Sequence, residues 1–133
     1  MNNTTKIINC CPHPVTVFVG AVYDPNSGGY TGGYPIICFT ESGCVATAKS
    51  SVKATEPLVI AGEEVPACNR RFTAVTPLPK ADNAMYIVSS LYAQAVEELG
   101  MDTSRLLTPN GDVYTECGHK VGCTSLVRYE KKV

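Results

Sequence analysis

Residues 84–100, with the sequence AMYIVSSLYAQAVEELG, decide the fold of this chain. Their first part, AMYIV, is typical of a strand that is covered on both faces. Ser89 or Ser90 is a suitable N-cap, and after it apolar residues recur at helical spacing. Gly100 suits the left-handed position that ends a helix. The stretch therefore predicts a buried strand followed directly by a helix at about residues 90–99.

A helix of about ten residues is stable in water only when it packs against other structure. The rest of the chain offers several short apolar runs separated by turn residues, such as residues 15–23 and 35–39. The predicted fold class is therefore α+β, with a mostly antiparallel β-sheet or open barrel that carries one main α-helix. The 133 residues suit a single domain, with a glycine- and tyrosine-rich loop at 24–34.

Local patterns predict the connections between these elements. Residues 44–48, CVATA, favour a short strand, and residues 65–75 are expected to be extended. One helical turn is expected within residues 101–107. The run PNGD at 109–112 is a turn signal, and residues 121–129 are expected to complete a terminal hairpin.

Composition excludes several classes of partner. The formal net charge of -1 gives no global field that would attract DNA or RNA. Apolar runs stay well short of the ~18 residues that indicate a membrane span. Seven cysteines are an odd number, and no signal-peptide core precedes them. These features predict a cytoplasmic protein whose reduced thiols act mostly as small core residues.

The start of the predicted helix is the first candidate site. A helix N-terminus leaves backbone N–H groups unpaired and carries the positive end of the helix dipole. With the hydroxyls of Ser89 and Ser90 it forms a suitable site for phosphate or another anion. Tyr86, on the preceding strand, is counted among the candidate ligand-binding residues. N-capping alone would also explain at least one of the two serines.

Three further side chains are candidates for ligand contacts. His13 lies between two prolines, which leave it little backbone freedom and suit a fixed contact. A structural histidine that satisfies a neighbouring carbonyl is the alternative. Arg70 and Arg71 suit bidentate phosphate recognition, although on a strand at most one of them faces a given pocket. A solvated sheet face is the alternative for this pair.

The loop at 24–34 combines glycine with tyrosine, a composition typical of adaptable contact surfaces. Such a loop could close over a planar ligand or mediate contact between copies of the chain. A hairpin loop without a binding role is the alternative. The loop is therefore a second region in which binding is expected.

Metal binding and catalysis have less support. Zinc could use cysteines 10, 11, 117 and 123 with the two histidines, but no two cysteines have the C-x2-C spacing. Cys11 and His13 lie close in sequence, yet this does not place a thiolate against a base. No G-x-S-x-G elbow occurs. We therefore predict no metal, no cofactor and no enzymatic activity, with a Cys/His- or Ser/His-dependent hydrolase as the alternative.

Five segments in chain order resemble a family of small proteins from phages, prophages and bacterial genomes. The central one, at 86–95, fits Y-I-V-S-S-L-x-A-Q-A, and residues 11–15 fit a T-P-H-x-V-like pattern. The others are S-G-x-V-A at 42–46, D-x-x-x-L-L-x-P at 102–109 and G-C-x-S-L at 122–126. Thr47 stands where this pattern often has arginine, and the loop at 24–34 resembles an insertion.

The resemblance implies a phage-type protein that acts in the host cytoplasm by binding host molecules. One class of such proteins sequesters nucleotide second messengers of antiviral defence, usually as oligomers. The expected function is therefore non-enzymatic sequestration of a nucleotide-like or other anionic small molecule by a homo-oligomer. The expected ligand-binding residues are His13, Arg70, Arg71, Tyr86, Ser89 and Ser90. The alternatives are the hydrolase and an interaction module that inhibits a host protein.

Overall fold

The structure, a computed structural model, describes residues 5–130 of the chain. The elements follow in the order β1 (Lys6–Asn9), β2 (Val15–Val19), β3 (Val22–Asp24), β4 (Gly29–Thr31), β5 (Tyr34–Phe39), β6 (Ala48–Ile60), β7 (Glu63–Val75), β8 (Ala84–Ile87), α1 (Ser90–Glu98), β9 (Leu106–Tyr114) and β10 (Lys120–Arg128). Residues 1–4, which belong to the segment expected to lack a signal peptide, lie outside the described range. Among the described residues, no helix combines the length and the apolar character that membrane crossing requires.

The main sheet is mixed rather than mostly antiparallel. Its strands follow the path β1-β8-β9-β10-β2-β5, and the β3–β4 hairpin joins it through β4 and β9. β1, β8 and β9 pair in parallel, whereas β9–β10 and β2–β5 are antiparallel and have longer registers. The helix α1 is the crossover that returns the chain from β8 to β9 in the same direction. The strand and helix that the sequence predicts at 84–100 therefore lead to parallel pairing of β8 with β9, whereas the predicted sheet is mostly antiparallel.

The edge strands β1 and β5 meet, so the sheet nearly closes into a barrel, and the side chain of Asn9 joins them. Its Nδ2 donates hydrogen bonds to the carbonyl oxygens of His13 and Phe39, both at 2.9 Å. Its Oδ1 accepts a hydrogen bond from the backbone N–H of Cys11, also at 2.9 Å. The backbone N–H of Ser42 donates to the carbonyl oxygen of Asn9 at 3.0 Å. One buried amide thus holds three segments together at the closure.

The predicted helix is confirmed at both ends. Ser89 is the N-cap, and its Oγ accepts a hydrogen bond from the backbone N–H of Tyr92 at 3.1 Å. Gly100 has φ 74°, and the N–H of Met101 donates to the carbonyl oxygen of Val96, which closes the helix with a Schellman motif. The buried face of α1 packs in one core cluster with Cys10, Ala84, Tyr86, Val88 and Leu106.

Three local predictions are wrong. Residues 44–47 form no strand, and β6 begins only at Ala48. No helical turn forms within residues 101–107. The expected turn at 109–112 lies inside β9, where the ladder to β10 continues through it. Gly111 adopts φ 75°, and a Cβ there would overlap the side chain of Thr124, so this glycine serves close strand packing rather than a turn.

The strands β6 and β7 form a separate two-stranded sheet, here called the arm. Each strand has 13 residues, and the two are joined by the turn at Ala61 and Gly62, both with positive φ. None of these strand residues is buried, and only Ala48, Ala67, Phe72 and Val75 are partly buried. At about 3.3 Å per residue the arm is roughly 40 Å long. Residues 65–75 are extended as predicted. The expected short strand at 58–61 is the end of the longer β6, and the sequence did not predict that the two strands form a separate sheet.

We expect replacement of Asn9 by alanine to lower the free energy of unfolding by about 3 kcal/mol, because buried backbone groups lose their partners. Urea unfolding of the full chain measures this change. Asn110→Ala is the control, since that exposed side chain makes one 3.4 Å hydrogen bond to Ser125 and its loss should change stability by less than about 0.5 kcal/mol. Equal effects of the two substitutions would show that Asn9 does not hold the closure.

Candidate functional site

The start of α1 opens onto a cavity of about 320 Å³. The helix contributes Ser89 and Leu91 to its lining. The remaining lining residues come from the break after β1 and from the segment that enters the arm, and they are Cys11, Pro12, Val45, Ala46, Thr47 and Ala48. The backbone N–H of Ala46 donates to the carbonyl oxygen of Cys10 at 2.9 Å, which holds the two walls together. We call this space the helix-start cavity.

The electrostatic potential in the helix-start cavity comes from the N-terminal end of α1. The carbonyl of Ser89 accepts the first hydrogen bond within the helix, from the N–H of Ala93 at 3.1 Å. The N–H groups of Ser90 and Leu91 lie ahead of that bond and have no acceptor within the helix. The lining residues carry no charged side chain. N–H groups without a helical acceptor, the hydroxyl of Ser89 and the positive end of the helix dipole together favour an anion.

One wall of the cavity is fixed by a threonine pair. The hydroxyl oxygens of Thr47 and Thr76 lie 2.7 Å apart, and the N–H of Thr76 donates to the carbonyl oxygen of Thr47 at 2.9 Å. These bonds tie the segment that enters the arm to the segment that leaves it. Thr47 therefore places an engaged hydroxyl where the resembled family pattern often has a guanidinium.

Three thiols of the described chain are buried, and their burial lowers their reactivity. Burial raises the pKa of Cys10, Cys11 and Cys123 above the ordinary thiol value. They are therefore protonated at neutral pH, and a protonated thiol is a poor nucleophile and a poor metal ligand. In the described part of the chain, no group of three or more His, Cys, Asp or Glu side chains is placed to hold a metal ion.

Ser89 and Ser90 are both exposed at the helix start, but the other predicted site residues lie elsewhere. His13 is exposed, and its Nδ1 lies 3.0 Å from the carbonyl oxygen of Pro14. It lines a different cavity, of about 220 Å³, on the β10 side. Tyr86 is buried, and its hydroxyl donates to the carbonyl oxygen of Pro79. The structure thus assigns Tyr86 a structural hydrogen bond in the core.

Arg70 and Arg71 lie midway along the arm. They pair with Val52 and Ser51 of β6, so their side chains leave opposite faces of the arm. Neither arginine lines the helix-start cavity or the cavity beside His13. Of the six predicted ligand-binding residues, the structure therefore brings together only the two serines.

The largest described cavity, of about 680 Å³, lies between the β3–β4 hairpin and the β9–β10 hairpin. The glycine- and tyrosine-rich loop forms one wall of it, with Tyr23 and Tyr30 packed edge to face at 5.7 Å. The opposite wall includes Tyr114 and Glu116, which the sequence did not single out. Asp24 and Glu116 make this space suit a neutral or cationic group. No local sequence pattern indicates that the β3–β4 and β9–β10 hairpins, which are far apart in the sequence, lie side by side.

Comparisons with known proteins assign no family to this chain. Neither a protein-family model, nor a curated protein, nor a solved structure matches the chain. The resemblance to phage and prophage proteins therefore stays a prediction. Only the residues of the chain itself and their geometry bear on its function.

We expect iodoacetamide at pH 7.5 to modify the exposed thiols of Cys38 and Cys117 at least about tenfold faster than the buried thiols of Cys11 and Cys123. The buried thiols are both inaccessible and protonated, since burial raises their pKa. Peptide mass spectrometry measures the extent of modification at each cysteine. Protein unfolded in urea is the control and should show equal rates. Rapid modification of Cys11 in the native protein would instead identify a reactive thiol.

Proposed function

We propose that this protein is a non-enzymatic binding protein that retains a nucleotide-like or other anionic small molecule. The observation that carries this proposal is the helix-start cavity of about 320 Å³, which Ser89 and Leu91 line at the first turn of α1. This volume suits a small ligand, since such sites generally span about 300–1,000 Å³. The apolar walls from Val45, Ala46 and Leu91 would contact a base or another ring, and the helix start would contact a phosphate.

The chemistry around the cavity favours retention over turnover. The one cysteine in its lining, Cys11, has a raised pKa because it is buried, so it stays a thiol. A serine nucleophile needs an adjacent base, and the cavity lining includes no histidine or carboxylate. The ring of His13 contacts the carbonyl of Pro14 instead. A ligand bound at Ser89 would therefore be released from the protein chemically intact.

The resemblance of residues 86–95 to phage and prophage proteins supports a specific form of this function. In that form the protein, as a homo-oligomer in the host cytoplasm, sequesters a nucleotide second messenger of antiviral defence. Ser89 and Leu91, which line the helix-start cavity, belong to the resembled segment, so the central part of the resemblance and this cavity overlap.

A second candidate function is an interaction module that inhibits a host protein. The observation that favours it is the exposure of Tyr23 and Tyr34, which are 56% and 64% exposed at the two ends of the glycine- and tyrosine-rich loop. Tyrosines of this kind provide apolar area and a hydroxyl at low entropic cost. This candidate predicts no small ligand at the start of α1.

Mass spectrometry of small molecules released by heat tests the proposal, after the protein has been incubated with extracts of defence-activated cells. We expect an intact anionic molecule in the wild-type sample. Ser89→Asp should reduce its retention at least about tenfold, because the carboxylate preserves the N-cap and occupies the helix end with negative charge. Unchanged melting temperature should accompany this loss.

Gln94→Glu is the matched control, because it adds the same charge at an exposed position of the same helix away from the cavity. It should retain the ligand as the wild type does. An altered product in the wild-type sample would favour the hydrolase. Equal retention by the Ser89→Asp variant would locate the site elsewhere, and an empty wild-type sample would favour the interaction module.

A further inference from the structure

The chain exposes more surface than a compact monomer of its size. Its accessible surface is 9243 Å² at a mass of 14.2 kDa. Scaling of surface with mass gives roughly 6,800 Å² for a compact monomer of this mass. The difference is about three times the area of roughly 800 Å² that one partner buries in a standard interface.

The arm contributes to this surface, since all but four of its strand residues are exposed. It contacts the body at its base. There Val75 packs against the core cluster of α1. Towards the tip, Leu58, Val59 and Ile60 are 56%, 74% and 56% exposed. Leu58 pairs with Val65 on one face, whereas Val59 lies on the other, so both faces carry apolar side chains.

An isolated hairpin of this kind is at best marginally stable in water. The arm is its own two-stranded sheet, so the outer edge of each strand also presents unpaired backbone groups. Natural proteins cover or interrupt such edges. Open edges together with apolar residues on both faces indicate that the arm is an interface.

Charge along the arm is divided between its ends. The tip half carries Glu56, Glu63 and Glu64. The stem half carries Lys49, Lys53, Arg70 and Arg71. Within residues 5–130 the ion pair that forms joins Lys120 to Asp112, so these arm charges have no ionic partner inside the described chain. Two such arms are complementary when they lie antiparallel.

We propose that the arm pairs with the arm of a second copy of this chain, antiparallel, with the acidic tip of each against the basic stem of the other. This contact is isologous, so every tip-to-stem contact occurs twice about a two-fold axis. It also covers the apolar tip residues and gives partners to strand edges. The proposal does not depend on a ligand at the helix-start cavity.

Sedimentation velocity of the full chain tests the pairing with two matched charge reversals. The tip variant carries Glu56→Lys, Glu63→Lys and Glu64→Lys. The stem variant carries Lys53→Glu, Arg70→Glu and Arg71→Glu. We expect the wild type to sediment as a dimer at micromolar concentration. Each variant alone should dimerise on the order of 100-fold more weakly, because like charges then face each other.

Mixing the two variants gives the decisive measurement. At one end the positive tip of the first variant then meets the negative stem of the second, and at the other end the unaltered negative tip meets the unaltered positive stem. The mixture should therefore form a heterodimer with an affinity close to that of the wild type. A mixture of the tip variant with wild type would dimerise best if the arms paired tip to tip, and this result would contradict the antiparallel arrangement. Melting temperatures of the separate variants verify that each is folded.

The control reverses three exposed cations of the body, Lys80, Arg105 and Arg128, each to glutamate, and should remain dimeric. Raising the salt concentration from 0.1 M to 1 M should weaken the wild-type dimer, since screening shortens from about 10 Å to about 3 Å. A wild type that sediments as a 14.2 kDa monomer would overturn the proposal. Persistence of the dimer in both variants, or lack of salt dependence, would do so as well.

Discussion

The buried amide of Asn9 is the interaction on which the arrangement of this chain depends. Barrel closure brings an edge strand to the N-terminal strand, and their backbone groups need partners there. The Asn9 side chain supplies hydrogen bonds to Cys11, His13 and Phe39 at once. Because it is fully satisfied and buried, it selects one closure geometry among the ways a mixed sheet could curl. The segment after β5 then runs beside the break after β1 and becomes a cavity wall.

A short chain of hydrogen bonds continues from this wall to the helix and the arm. Thr47 contacts Thr76 across the base of the arm, and the hydroxyl of Tyr92 on α1 donates to the carbonyl oxygen of Thr76. Burial raises the pKa of Tyr92, which keeps this hydroxyl protonated and able to donate. The same three residues therefore fix the exit of the arm and the position of the helix start. A fold that closes differently would lose both.

The sequence predicted the features that depend on interactions between residues close together in the chain. Ser89 and Gly100 set the helix ends through their own backbone and side chain, so the helix and the serines at its start could be identified. The parallel pairing of β1 with β8 could not, because it joins residues almost 80 positions apart. Arg70 and Arg71 were grouped with the serines on chemistry alone, and their protrusion on the arm depends on tertiary structure. The polar and apolar residues of 48–60 likewise gave no sign that both faces would be open.

Electrostatic attraction would arise in different ways at the two proposed surfaces, so salt would affect them differently. The helix-start cavity has no charged side chain in its lining, so the proposed anion binding there would rely on N–H groups in direct contact with the ligand, which salt screens little. The arm relies on exposed charges of opposite sign at its two ends, which salt screens strongly. The two surfaces nevertheless adjoin, because Ala48 lines the cavity and the basic stem begins at the next residue. A partner's acidic tip on that stem would lower the positive potential near the cavity, so pairing and anion binding oppose each other weakly at low salt.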